Sequence, residues 1–213
     1  MSTQPAIRFW GAGTSRTLRP IWVAEELCIP YELMPIGPRT GETQTDDYTR
    51  LNPKQKIPTL VDGDFRLTES VAICRYLIEN YPGEAIYRPS TPRDRAREDE
   101  WCCYIYGELD ETSLYVMRRH GDLRHIYGDA PAAVDSGKTY ALKHLAVVDA
   151  QLEGREFVMA GGFGLADVLL VSCLDWAHAY GLELPHGLAA YRRRIGARAA
   201  YRRAVTGNYP SGV

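Results

Sequence analysis

Residues 52–70, "NPKQKIPTLVDGDFRLTES", constrain this chain more than any other stretch. The runs "IPTLVD" and "FRLTE" are short, apolar and separated by a "DGD" turn, which predicts a β-hairpin. Pro58 stands where the first run begins. Proline cannot donate to a strand ladder, so it belongs at an edge or where the backbone geometry is special. Only about 5–6 % of X–Pro bonds in folded proteins are cis, so the residues by themselves favour a trans Ile57–Pro58 bond. A cis bond would turn the chain tightly and expose the Ile57 backbone, whose N–H and C=O could dock another peptide backbone as a short β-pair. The hairpin runs straight into "SVAICRYLIENYPG", where Val71, Cys74, Leu77 and Ile78 recur at helical spacing. Ser70 is placed to cap that helix, and Pro82-Gly83 ends it.

The flanking sequence extends this pattern. "AIRFW", residues 6–10, reads as a strand broken by "GAGTSR". A helix follows at about 15–29, with Leu18, Ile21, Trp22 and Leu27 on its apolar face. Its cap is open between Ser15, which puts Pro20 just past the free N–H groups, and Thr17, which puts Pro20 in the first turn. "CIPYELMPI" turns into a second strand, and residues 37–50 form a polar loop or weak helix. The order is β-α-β-(loop)-β-β-α over residues 1–85. Residues 86–92 read as a Pro-containing linker. Strand signals then stop. Helical patterns at 93–120, 131–153, 164–180 and 187–205 make 93–213 an all-helical domain, so the fold class is α/β followed by all-α. The basic "RRRIGARAAYRR" at 192–203 reads as a solvated helix face.

Composition narrows the function classes. The chain has 213 residues, 45 % of them hydrophobic, and a formal net charge of -2, so neither nucleic acid nor an anionic membrane is an expected partner. No apolar run is long enough to span a membrane, and the N-terminus lacks the apolar core of a secretory signal. Cys28, Cys74, Cys102, Cys103 and Cys173 form no CxxC or zinc spacing and read as small core residues, with a cytoplasmic, reducing setting expected. The five histidines show no metal-ligand pairing, so no metal is expected.

The site chemistry begins in the opening stretch. Ser70 at a helix N-terminus offers a hydroxyl and an outward N–H where the helix dipole favours a carboxylate. Glu69 beside it could pair with an amine. A ligand with an α-amino-acid head and a peptide body would suit both halves.

Four segments together resemble the cytosolic glutathione transferase family: "CIPYEL", "NPKQKIPTLVDGDFRLTES", "VAICRYLIENYP" and "LEGREFVMAGGFGLADVLL" at 152–170. They span nearly the whole chain. The resemblance implies a thioredoxin-like N-terminal domain that binds glutathione, an all-α C-terminal domain, and a homodimer. It implies a cis Pro58, main-chain pairing of Ile57 with the cysteinyl part of glutathione, and contacts from Glu69 and Ser70 to the γ-glutamyl head. Arg39 or Lys56 would meet the glycyl carboxylate. Tyr104, Tyr106, Glu108, Tyr115 and Trp176 are implied as lining for an electrophile.

The residue that activates the sulfur departs from the family pattern. Counted back from "RPIW", the family's catalytic serine falls on Ala12. Phe9 and Trp10 cannot replace the tyrosine of other classes, and the loop "GAGTSRT" holds no cysteine, which argues against mixed-disulfide chemistry. Ser15 is the first candidate and Thr14 the second, because a hydroxyl donating to sulfur favours the thiolate. In the helical domain Gly164 stands where the family has a Ser or Thr N-cap, with Asp167 left to accept a backbone N–H. The expected activity is conjugation of the glutathione thiolate to small hydrophobic electrophiles. Another glutathione-dependent reaction (isomerase, peroxidase, dehalogenase or disulfide reductase) and a non-catalytic glutathione-binding protein are the alternatives.

Overall fold

A computed structural model of the chain describes residues 7–210. Ile7–Trp10 forms β1, Tyr31–Met34 β2, Thr59–Asp62 β3 and Phe65–Thr68 β4, in the sheet order β2-β1-β3-β4. β1 runs parallel to β2 and antiparallel to β3, and β3 and β4 form the hairpin. Gly63 opens its two-residue turn at φ +60, a sign a residue with a Cβ adopts poorly. Ile7 and Phe9 alternate inward and are buried, while Arg8 between them is exposed.

Helix α1 spans Ser15–Glu26 and α3 spans Ser70–Asn80, with the six-residue α2 at Asp46–Leu51. The expected apolar faces bury Leu18, Ile21, Trp22 and Leu27 at α1, and Cys74, Leu77 and Ile78 on α3, while Val71 is only half-buried. Thr14, rather than Ser15 or Thr17, caps α1, and its Oγ1 accepts the Thr17 N–H at 3.0 Å. Pro20 therefore lies inside the helix, one residue deeper than a Ser15 cap and three deeper than a Thr17 cap would have placed it, where it withholds the N–H that the Arg16 carbonyl would otherwise receive.

The chain divides into two units, one of residues up to Arg88 together with those from Ala197 onward, the other Pro89–Gly196. This differs from the expected division at both ends. Ile86 is buried, and the Arg88 guanidinium holds the Ile78 and Tyr81 carbonyls at the end of α3 (2.8 and 2.7 Å), so the segment read as a linker is partly packed. At the other end, helix α10, Ala199–Asn208, lies against α1. Tyr201 meets Trp22 edge-on at 4.8 Å, and Arg198 grips Glu26 bidentately at 2.6 and 2.8 Å. The basic stretch is thus two helices, broken between Gly196 and Ala199. Three of its arginines are ion-paired: Arg192 with Asp175, Arg198 with Glu26 and Arg203 with Glu25.

The second unit is all-helical: α4 at Pro92–Tyr104, a π-helical stretch at Ile105–Leu114, α5 at Tyr115–His120, α6 at Arg124–Tyr127, α7 at Pro131–Gln151, α8 at Leu165–Ala179 and α9 at His186–Gly196. In the wider π turn, the Ser113 hydroxyl donates to the Glu108 carbonyl five residues back, at 2.5 Å. Twelve of the fifteen α8 residues are buried, so α8 forms the core of this unit. Gly164 is its N-cap, and Asp167 answers the missing cap side chain. Its carboxylate accepts N–H groups from Gly164 at 2.7 Å and Val158 at 2.8 Å, and the Tyr191 hydroxyl. No described helix is long and apolar enough to cross a membrane.

Candidate functional site

The candidate residues of the first unit converge around the ends of β1 and β3. Gly11 closes β1 at φ +117, and a Cβ there would stand 2.5 Å from the Ile57 Cβ. Glycine is therefore what lets the "GAGT" loop lie directly against Ile57. The Ile57–Pro58 bond is cis, as the resemblance implied and the residues by themselves did not. Among the described residues, the Ile57 main-chain N–H and C=O carry no hydrogen bond. A peptide edge stands open there.

The turn that presents Ile57 is held by side chains to which sequence reasoning gave no role. Asn52 is buried, and its Nδ2 donates to the Lys56 carbonyl at 2.7 Å and the Thr59 hydroxyl at 3.1 Å. The Tyr48 hydroxyl donates to the same Lys56 carbonyl at 2.7 Å and lies 2.9 Å from Thr59 Oγ1. Burial pushes the Tyr48 pKa upward, so this phenol stays a donor. The Asn-Pro pair was visible in the sequence. The convergence of two side-chain donors on one carbonyl was not.

The opposite end of the site is the N-terminus of α3. Glu69, at φ +72, is the N-cap residue and its side chain caps nothing. Ser70 is instead the first helical residue. The expectation that Ser70 is the cap is corrected here, because the reversal of the backbone occurs at Glu69. The first N–H groups of α3 therefore have no side-chain cap and retain the positive end of the helix dipole. The buried Ser70 Oγ accepts from the Arg19 guanidinium at 3.3 Å, and Arg19 is itself wholly buried in α1. Glu69 Oε1 accepts from Lys54 Nζ at 2.6 Å, with both side chains half exposed or more. Such a pair contributes little to stability, and its carboxylate is accessible. Lys56 is exposed beside this turn, and Arg39 is half-buried at φ +63 in the loop after β2.

The loop "GAGTSRT" carries the two hydroxyl candidates. Ala12 is fully buried, with its N–H donated to the Ile36 carbonyl at 3.0 Å, so the position counted as the family's serine offers no donor. Thr14 Oγ1 is engaged by the Thr17 N–H and stands 3.0 Å from Thr17 Oγ1. Ser15, half-buried in the first turn of α1, makes no side-chain hydrogen bond among the described residues. Its hydroxyl is free to donate at a helix N-terminus, where negative charge is stabilised.

Two of the five expected lining residues in the helical unit, Tyr104 and Glu108, come together. Tyr104 Oη lies 2.7 Å from His144 Nδ1, and the Tyr140 hydroxyl donates to Glu108 Oε2 at 2.5 Å. The rings of Tyr140 and His144 lie 4.3 Å apart, tilted by 50°, and Tyr104 and Glu108 turn their polar atoms toward these two residues of α7. Burial and the Glu108 charge push the Tyr104 pKa upward. Tyr115 opens α5 and is half-buried, while Trp176 is buried in α8 against Tyr180. Cys74, Cys102 and Cys173 are buried as expected, whereas Cys28 and Cys103 are exposed. Burial pushes the Cys74 thiol up to about 12, which leaves it inert. Among the described residues, no group of three His, Cys, Asp or Glu side chains could hold a metal ion.

The family model described as "Glutathione S-transferase, N-terminal domain" matches residues 5–79, and that for the "C-terminal domain" matches 107–198. The chain belongs to the glutathione S-transferase family. Among its relatives, glutathione S-transferase theta-1 of Bos taurus is 30 % identical over 188 residues, covering 85 % of this chain and 78 % of that protein. Glutathione S-transferase GST-4.5 of Xanthomonas campestris is 30 % identical over 165 residues, covering 76 % of this chain and 78 % of its own length. Among solved structures, the theta class enzyme of Xanthomonas axonopodis pv. citri, with glutathione bound, superposes with a TM-score of 0.78 at 30 % identity over 95 % of this chain and 98 % of that one. Glutathione transferase URE2P8 of Phanerochaete chrysosporium shares the fold, with a TM-score of 0.84 at 22 % identity over 98 % of this chain and 97 % of that one.

Proposed function

We propose that this glutathione S-transferase binds glutathione along Ile57 and the N-terminus of α3 and transfers its thiolate to small hydrophobic electrophiles. The observation that carries the reading is the unpaired Ile57 main chain beside a helix N-terminus that no side chain caps. Ile57 would pair with the cysteinyl residue, and the α3 N–H groups and Ser70 would receive the γ-glutamyl carboxylate. Glu69 would take the amine, exchanging its Lys54 partner for it. Lys56 or Arg39 would meet the glycyl carboxylate. Cysteinyl sulfur held there would face the loop that carries Ser15 and Thr14. A hydroxyl donating to sulfur stabilises thiolate over thiol, and the α1 N-terminus adds to the effect. The thiolate then attacks the electrophilic carbon, forming the C–S bond as the leaving group departs with its electron pair.

Tyr104, Glu108, Tyr115 and Trp176 are retained as candidate electrophile contacts, and a cytoplasmic homodimer with a detoxifying role is part of the same proposal. The buried Ala12 at the family's serine position favours a second reading, a protein that binds glutathione without turning it over. Calorimetric titration with glutathione, together with conjugation of 1-chloro-2,4-dinitrobenzene, separates the two. Binding with conjugation is expected. Binding without turnover across a broad electrophile panel would establish the second reading, and absent binding would defeat both.

A further inference from the structure

We propose that Asn208, in the last turn of α10, is the positioning residue of the sulfur-activating loop. This rests on the thiolate reading above and assigns the geometry of that site to the far end of the chain. Asn208 is wholly buried and ties the loop at three points. Its main-chain carbonyl accepts the Gly13 N–H at 2.7 Å, its Nδ2 donates to the Thr14 carbonyl at 3.0 Å, and its Oδ1 accepts the Thr17 hydroxyl at 2.6 Å. The orientation of the amide follows from chemistry. The Thr14 carbonyl can only accept, so it must face the NH₂.

These bonds also direct a proton. Thr17 Oγ1 has one hydrogen and three acceptors within reach: Asn208 Oδ1 at 2.6 Å, Thr14 O at 2.9 Å and Thr14 Oγ1 at 3.0 Å. Asn208 is the shortest and draws that hydrogen. Thr17 Oγ1 in turn accepts the Thr14 N–H at 3.1 Å. Thr14 is then the member of the hydroxyl pair with a proton to give, and Ser15 follows it on a backbone held by Asn208 at Gly13 and Thr14. Without the amide, the Thr17 proton falls back on Thr14 and the loop loses both side-chain ties to α10. The sulfur would meet donors of poorer geometry, and such bonds weaken steeply with misalignment.

The test is Asn208→Leu, which keeps the side-chain bulk and removes both side-chain bonds. Thiolate absorbance of bound glutathione is titrated against pH, and binding of S-methylglutathione, which has no thiol, reports the cradle separately. The expected result is a bound-thiol pKa raised by about 0.5–1 unit, a three- to tenfold loss of thiolate below that pKa, with S-methylglutathione affinity unchanged. An unchanged thiol pKa in a variant that still binds S-methylglutathione would overturn the proposal while leaving the transferase reading intact. If the unsubstituted protein fails to lower the thiol pKa at all, the transferase reading falls and this proposal with it. Should Asn208→Leu not fold, Asn208→Ala removes the same two side-chain bonds without a bulky apolar replacement. The same upward shift is expected of it, and its absence counts equally against the idea.

Discussion

Two adjacent hydroxyls in the first turn of α1 have different physical positions. Thr14 is tied down as the helix cap, while Ser15 has no partner among the described residues. Their substitutions should therefore separate. Ser15→Ala is expected to raise the bound-thiol pKa and lower kcat/KM for conjugation by about 10–100-fold, with little change in thermal stability. Thr14→Val should destabilise the protein by about 1 kcal/mol through loss of the cap, measured by denaturant unfolding. If Ser15→Ala left the pH–rate profile unmoved and Thr14→Val shifted it, the order of the two candidates would be reversed. The sequence named both hydroxyls and put Ser15 first, but it did not show which of the two is tied down. Ranking depends on which one the Thr17 amide engages, and that follows from where the helix begins.

At the scale of elements, side chains replace what the backbone lacks. The cis Ile57–Pro58 turn is presented by Asn52 and Tyr48, and the cap missing at Gly164 is answered by Asp167. Three donors converge on the Asp167 carboxylate: two N–H groups and the Tyr191 hydroxyl. Asp167→Asn places an NH₂ among donors, so at least one buried N–H or O–H loses its acceptor. Unfolding measured at about pH 7.5 should show a loss of about 1–3 kcal/mol. The native carboxyl is ionised there even with burial pushing its pKa up to about 6. A loss below ~0.5 kcal/mol would mean that the amide is accommodated by rotation, and that the convergence of donors is not what stabilises α8. The Gly164 departure and the accepting role of Asp167 were legible in the sequence as a motif with one member changed. The Tyr191 partner was not, because it arrives from α9, 24 residues further along the chain.

At the scale of the whole molecule, the chain returns to its start. α10 packs on α1 through Tyr201 on Trp22, Arg198 on Glu26 and Asn208 on the loop. Glu26 is the joint: its Oε1 accepts from both Trp22 Nε1 at 2.9 Å and Arg198, and its side chain is only 5 % exposed. Glu26→Ala would remove the acceptor that the Trp22 indole N–H and the Arg198 guanidinium share, a loss of about 2–4 kcal/mol. Hydrogen exchange should then accelerate across 199–208 and at the distant Gly13 amide, which donates to Asn208. Faster exchange confined to α1 around residue 26 would show instead that α10 and the loop do not depend on this joint. By itself the sequence determined the hairpin and the apolar faces of α1 and α3, because periodicity and turn chemistry are set by neighbours along the chain, and it carried the family through the motifs that resemble it. Only the tertiary structure decided that α10 belongs with the first unit, that Arg19 lies buried beneath Ser70, and that Thr17 meets a side chain 191 residues away. A buried polar group is satisfied by whatever folding brings beside it, and nothing local to Asn208 or Thr17 records that partnership.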